Sequence, residues 1–242
     1  MSVTAGPDIP TNGLVLSLDA ADVKSYPSSG TTWFNQVNDI NGVLANTSNV
    51  VHNSANGTFT FDGTKATMVG FPGAGSTFDF LGRAPFSWEI WCKPGTYPAA
   101  PTSQWRRFFD RESNPGSGRD GWLCWLNYDQ TDYNIGFERF ENGSQAAPNY
   151  NLPVGQIGGK YQHFMGTYDG TTIRVYWKGN QVTSAESTQS ITNTSVDLSL
   201  GGDNNTSTSF IGEINVARIW NTALSVTEVK QCYNALKGRF GL

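Results

Sequence analysis

Cleaving a glycosidic bond with retention needs two carboxyl groups about 5 Å apart on either side of the scissile bond, and one β-strand can supply them through a Glu-X-Asp-X-(X)-Glu run. No such run occurs here. The nearest candidates are Glu89, Glu138 and Glu141; the last two are three residues apart, so on an extended strand they point to opposite faces. His52 and His163 are far apart, with no Cys or carboxylate at zinc-like spacing. The chain shows no Ser/His/Asp order, nucleophile elbow or phosphate-cradling Gly-rich motif. These absences predict a protein that is not an enzyme.

Aromatic residues carry a different chemistry: there are eight Trp, nine Tyr and fourteen Phe. A flat aromatic face stacks against sugar C–H groups, and neighbouring Asn, Asp or Arg side chains fix the hydroxyls. Trp91, Trp105, Trp125 and Tyr176, with Asn127, Asp129 and Arg139, are candidates for such a surface. Trp105 is followed by Arg106 and Arg107, a combination that also suits the centre of a protein interface. For any one of these residues, a place in a sandwich core or a subunit contact is the commoner role.

These residues must be positioned mostly by strands. Phe86, Trp88, Ile90 and Cys92 alternate with Ser87, Glu89, Trp91 and Lys93, which predicts a strand covered on both sides or one displaying a Trp. Residues 14–18 and 58–61 also read as strands, and 122–127 with 134–141 as a hairpin about 129–132. Strands at 162–168 and 172–178 join at Asp169-Gly170, a strong hairpin signal. The stretch from Pro94 to Gly121 reads as irregular, enclosing a short strand at 106–111; long loops on rigid sheets are where binding surfaces form. At the end of the sequence, Ser225 and Glu228 form a capping box, Leu224, Val229, Cys232, Tyr233 and Leu236 form an apolar stripe, and Gly238 supplies a stop. A short amphipathic helix at 224–237 is therefore expected to lie on a sheet.

Composition fits a β protein. Charged residues make up 15%, and Gly is abundant at 27 residues, which suits frequent tight turns. A net charge of −4 and the small Arg106-Arg107 pair leave no basic footprint for nucleic acid. No stretch has the length or apolarity of a membrane span or signal peptide, which predicts folding in a cytosol and no membrane insertion. Cys92, Cys124 and Cys232 sit inside apolar patterns and read as buried free thiols. All-β sandwiches of this length are routinely single, so residues 1–242 are expected to form one domain, with 1–12 as an N-terminal arm.

Five segments, in order, resemble the laminin-G-like, concanavalin A-like jelly rolls: Gly13-Leu-Val-Leu-Ser-Leu-Asp-Ala20, Phe59-Thr-Phe-Asp-Gly63, Pro85-Phe-Ser-Trp-Glu-Ile-Trp-Cys-Lys-Pro94, Tyr161 to Gly170 followed by Val175 to Asn180, and Phe210 to Ser225. The resemblance implies an all-β, two-sheet antiparallel sandwich closed by the C-terminal helix. It also implies structural places for Glu89 and His163. Members of this family often hold a structural Ca²⁺, and the matching positions are Asp19, Asp62 and Asn215. The family's Gly-Glu-Ile-Asp-Asp is here Gly212-Glu-Ile-Asn-Val216, which lacks both aspartates and so disfavours the ion. No other cofactor is implied.

Lys24-Ser-Tyr-Pro-Ser-Ser-Gly-Thr-Thr-Trp33 and Tyr233-Asn-Ala-Leu-Lys-Gly-Arg-Phe-Gly241 look like the version found in tailed-bacteriophage virion proteins. That resemblance implies a non-enzymatic capsid-decoration, tail or fibre component on the virion surface. Its partners would be other virion proteins, its oligomeric state is open, and surface glycan is a further target. The alternative is a bacterial carbohydrate-binding lectin module, and behind it a polysaccharide hydrolase; fold does not decide among them.

Overall fold

The computed structural model describes residues 8–45, 50–63, 69–95, 104–113, 118–128, 132–153, 155–192, 196–202 and 209–242. Its strands are β1 (Leu14–Asp19), β2 (Thr32–Trp33), β3 (Gly42–Leu44), β4 (Val51–Asn53), β5 (Thr58–Asp62), β6 (Val69–Gly70), β7 (Phe86–Pro94), β8 (Gln104–Ser113) and β9 (Asp120–Tyr128). They continue with β10 (Tyr133–Glu141), β11 (Ser144–Ala146), β12 (Asn149–Leu152), β13 (Gln162–Tyr168), β14 (Thr172–Trp177), β15 (Asn180–Glu186), β16 (Ser199–Leu200) and β17 (Ile211–Trp220), before the helix α1 (Val226–Leu236).

Two antiparallel sheets form a sandwich. One has eight strands in the order β15-β14-β13-β7-β17-β5-β4, with β1 also paired to β17. The long β17 makes this possible: residues 211–214 pair with β5 and 216–220 reach along β1, so two strands lie end to end on one edge. The other sheet has nine strands in the order β11-β10-β9-β8-β16-β6-β3-β2, and β12 shares an edge of β10 with β11. Apolar side chains interdigitate between the sheets, as period-two alternation requires. Phe86 stacks on Phe80 at 4.2 Å and meets Phe137 and Trp122, while Trp88 meets Phe137 edge-on.

Strand β7 is covered on both sides, because the outer face of the eight-stranded sheet is roofed by α1 and the residues after it. Ser225 caps the helix reciprocally with Glu228, as its sequence requires. Leu224, Val229 and Cys232 bury against Met165, Tyr176 and Trp220. The chain then runs through a turn in which Gly241, not Gly238, takes the left-handed conformation, placing Phe240 on Trp91 at 4.6 Å. The three cysteines are buried and free.

The stretch around 106–111 is longer and more regular than its composition suggests. It is the ten-residue β8, paired along its length with β9. Its register shifts between Arg107 and Phe109. Phe108 is the extra residue of this bulge, so Phe108 and the adjacent Phe109 are both buried, and Arg107 and Asp110 emerge on the same outer side.

Candidate functional site

The side of the nine-stranded sheet turned away from the other sheet gathers polar and aromatic side chains from β8, β9, β10 and β12. Directly opposed residues of paired strands share a face, so the register assigns its rows. Trp105, Asn127, Asn134 and Asn151 are successive partners across β8, β9, β10 and β12. The next row is Arg107, Trp125, Gly136 and Asn149, and beyond it come Asp110, Leu123 and Glu138, then Glu112, Gly121 and Phe140.

Trp125 organises this surface. Its indole reaches over Gly136, donates from Nε1 to Glu138 Oε1 at 2.6 Å, and supports Trp105 edge-on with ring centroids 4.3 Å apart. Trp105 is 42% exposed and offers a flat apolar surface to solvent. Two guanidinium groups face three carboxyl groups here. Arg107 pairs with Asp110 at 3.4 Å; Arg119 forks onto Glu112, with Nη2–Oε2 at 2.6 Å, and lies over the Phe140 ring at 3.8 Å. Burial pushes the Glu138 carboxyl above its usual range, an effect opposed by the Trp125 hydrogen bond and by Arg107 and Arg119.

Of the sequence-nominated residues, four meet on this face: Trp105, Arg107, Trp125 and Asn127. Five others do not join them. Arg106 is the cross-strand partner of the buried Leu126 on the inward side of the sheet, and its Nη1 donates to Ser209 O at 3.0 Å. Arg139 is fully buried between the sheets, 3.7 Å over the Tyr168 ring, donating to Gln189 O at 2.8 Å and Gly82 O at 3.0 Å. Burial lowers its pKa to about 10, with Tyr168 opposing. Trp91 and Tyr176 lie on the opposite sheet beneath the C-terminal helix and tail, where no ligand reaches them. Asp129 falls outside the described residues.

Of the calcium-type positions, Asp19 pairs with Val216 and so lies beside Asn215, while Asp62 lies apart. Asp19 is paired with Arg239 at 2.7 Å, Asn215 Nδ2 donates to Gly57 O at 3.1 Å, and Asp62 pairs with Ile211, four positions from Asn215 along β17. Among the described residues no three His, Cys, Asp or Glu side chains are placed to share a metal. Glu89 and His163 are bound to each other in the layer under the helix. Glu89 Oε1 accepts from Trp91 Nε1 at 2.8 Å and meets His163 Nε2 at 3.1 Å, while Oε2 accepts from Arg218 at 2.9 Å.

A scan along single strands could not find Asp110, Glu112 and Glu138 together, because they come from two strands separated by a third. The adjacent Phe108 and Phe109 inside a charged alternation were the available signal of the bulge that turns Asp110 outward.

A sandwich of this topology, with a roofing helix on one sheet and a polar-aromatic outer face on the other, defines a lectin-like jelly roll. The family model describing the concanavalin A-like lectin/glucanases superfamily matches residues 62–230, and the chain belongs to that superfamily. No curated protein matches the sequence. Among solved structures, Trypanosoma rangeli sialidase in complex with sialic acid is similar with a TM-score of 0.65 at 15% identity, over 96% of this chain and 36% of that one. The botulinum neurotoxin type G receptor binding domain is similar with a TM-score of 0.65 at 16% identity, over 92% of this chain and 51% of that one. The chain thus spans about a third to a half of these neighbours.

These likenesses correct one expectation. The architecture is shared with sialidases, which are enzymes, and the missing Glu run does not exclude catalysis where carboxyl groups converge from different strands. The reading as a non-enzyme does not stand.

Proposed function

We propose that the chain is a glycan-binding adhesive domain, carried on the surface of a tailed-phage particle and held there by other virion proteins. The observation that carries the glycan reading is the exposed Trp105 propped on Trp125, with Arg107 alongside: a stacking plane with a polar group at its margin. The fold supports it, being similar to part of a receptor binding domain and to part of a sialidase in complex with sialic acid. The virion reading rests on the sequence resemblance of residues 24–33 and 233–241.

Glycan-array binding by the wild type and Trp105→Ala tests the first reading. Trp105 is exposed, so the variant should keep its melting temperature and lose at least about tenfold in affinity, in line with about 1.4 kcal/mol. Equal binding by both proteins sinks this face as the ligand site. Antibody labelling of phage particles tests the second reading, which fails if the protein is never found on virions.

A further inference from the structure

We infer that Arg239 is the built-in cation of the corner where the resemblance places a structural Ca²⁺, and that it clasps the C-terminal tail to β1 without a metal. Calcium takes about six to eight oxygen ligands, several of them carboxylates. Here the carboxylate beside Asn215 is that of Asp19, and N–H donors of the chain hold both its oxygens. Oδ1 accepts from Ala21 N at 2.9 Å and from Arg239 Nη2 at 2.9 Å, and Oδ2 accepts from Arg239 Nη1 at 2.7 Å. The nearby carbonyls are engaged in the same way: Ala20 O meets His52 Nε2 at 2.8 Å, and Gly57 O accepts from Asn215 Nδ2 at 3.1 Å. Asn215 Oδ1, a neutral oxygen, is buried with no partner among the described residues. This donor set does not fit a calcium ion.

A guanidinium bonded to both oxygens of a carboxylate supplies the positive charge and the fixed direction that an ion would. The turn after α1 brings it there. Arg239 N donates to Leu236 O at 2.9 Å, Phe240 N to Lys237 O at 3.2 Å and Leu242 N to Lys237 O at 2.9 Å, with Gly241 in its left-handed conformation. The same turn sets the Phe240 ring on Trp91 and 5.0 Å from the Arg239 guanidinium. Arg239 and Phe240 thus fasten the tail at two points, one on β1 and one on β7. The Arg239 and Asp19 side chains are both partly exposed, so the clasp governs local opening of the tail more than global stability. Nothing in it depends on what the other sheet binds.

The experiment combines thermal melting with hydrogen exchange on the full chain. The wild type should melt at one temperature in excess EDTA and in about 10 mM Ca²⁺, a concentration above the dissociation constants of weak calcium sites. An ion present at a hundred times its dissociation constant would raise that temperature by about 5–10 °C. Arg239→Ala should speed exchange of the Phe240 and Leu242 amides about two- to fivefold, the effect of losing a partly exposed ion pair. Asp19→Asn should act in the same direction, and the two together no more than Arg239→Ala alone. Arg239→Lys should restore part of the protection and Arg239→Gln none. A Ca²⁺ shift in melting temperature that Asp19→Asn abolishes shows an ion held at this corner and overturns the inference. Tail exchange unchanged in Arg239→Ala, or protection kept as well by Arg239→Gln as by Arg239→Lys, shows that packing and not charge holds the tail, and also overturns it.

Discussion

The Trp125 indole occupies the space above Gly136 on the neighbouring strand: a Cβ added at Gly136 would lie 2.3 Å from Trp125 Cζ2. The glycine is therefore what lets the ring cross β10 and reach Glu138. Gly136→Ala should expel the ring, with a destabilisation of about 1–3 kcal/mol from overpacking and loss of the support beneath Trp105. Thermal melting together with indole fluorescence checks this; an unchanged emission spectrum contradicts the arrangement.

Glu138→Gln should be neutral or stabilising near pH 7. Burial raises the carboxyl's pKa in the folded protein above its ordinary 4.5, so the folded state holds its proton more tightly than the unfolded chain, and the wild type loses stability as pH rises through that raised value. Glutamine keeps an acceptor for Trp125 and has no charge to bury. The variant's stability relative to wild type should therefore rise from acid to neutral pH, measured by chemical denaturation. A difference that does not change with pH counts against a buried, titrating Glu138.

Glu89 works in the opposite direction. Burial alone would raise its pKa, but Arg218 and His163 outweigh that and hold the carboxyl at about 2, below its ordinary 4.5. The stability it confers is present above the unfolded value and is lost as pH falls from about 4.5 through about 2. Glu89→Gln should cost on the order of 3 kcal/mol at neutral pH, and the gap from wild type should shrink on acidification through that window. Parallel stability curves for the two proteins would show that the ion pair does not matter.

Removing residues from Leu224 onward should uncover Trp91, Met165, Tyr176 and Trp220, all buried beneath the helix and tail. A patch of this kind promotes association, since burial contributes about 25 cal/mol per Å² of apolar surface. Light scattering and thermal melting of the truncated protein should show aggregation and a lower melting temperature; unchanged behaviour means the roof is dispensable.

Where local chemistry dictates geometry, the sequence was readable. Alternation set out both faces of Phe86–Pro94, Asp169-Gly170 made its hairpin, and Ser225 with Glu228 capped the helix. Trp91 and Tyr176 misled because aromatic stripes on a strand look the same under a helix as under solvent, and the covering residues lie far along the chain. The carboxyl and amide rows were hidden for a related reason. Alternation within a strand says which residues share a face, but only the register between strands says which rows they join, and the bulge at Phe108 shifts that register midway along β8.

Strand β17 is flanked by β7 on one side and by β5 and β1 on the other, so the interior of the eight-stranded sheet has an empty lane until that strand arrives. It is also made after the other described strands of both sheets. On a ribosome, residues 14–19, 58–62 and 86–94 emerge first and must wait with their edges unpaired until residue 220 has cleared the exit tunnel. Closure of the sheet is thus a late, long-range event, of the kind that folds slowly and exposes sticky intermediates. Folding of this protein should depend on how quickly β17 follows the strands it pairs with, more than on the strength of the core it completes.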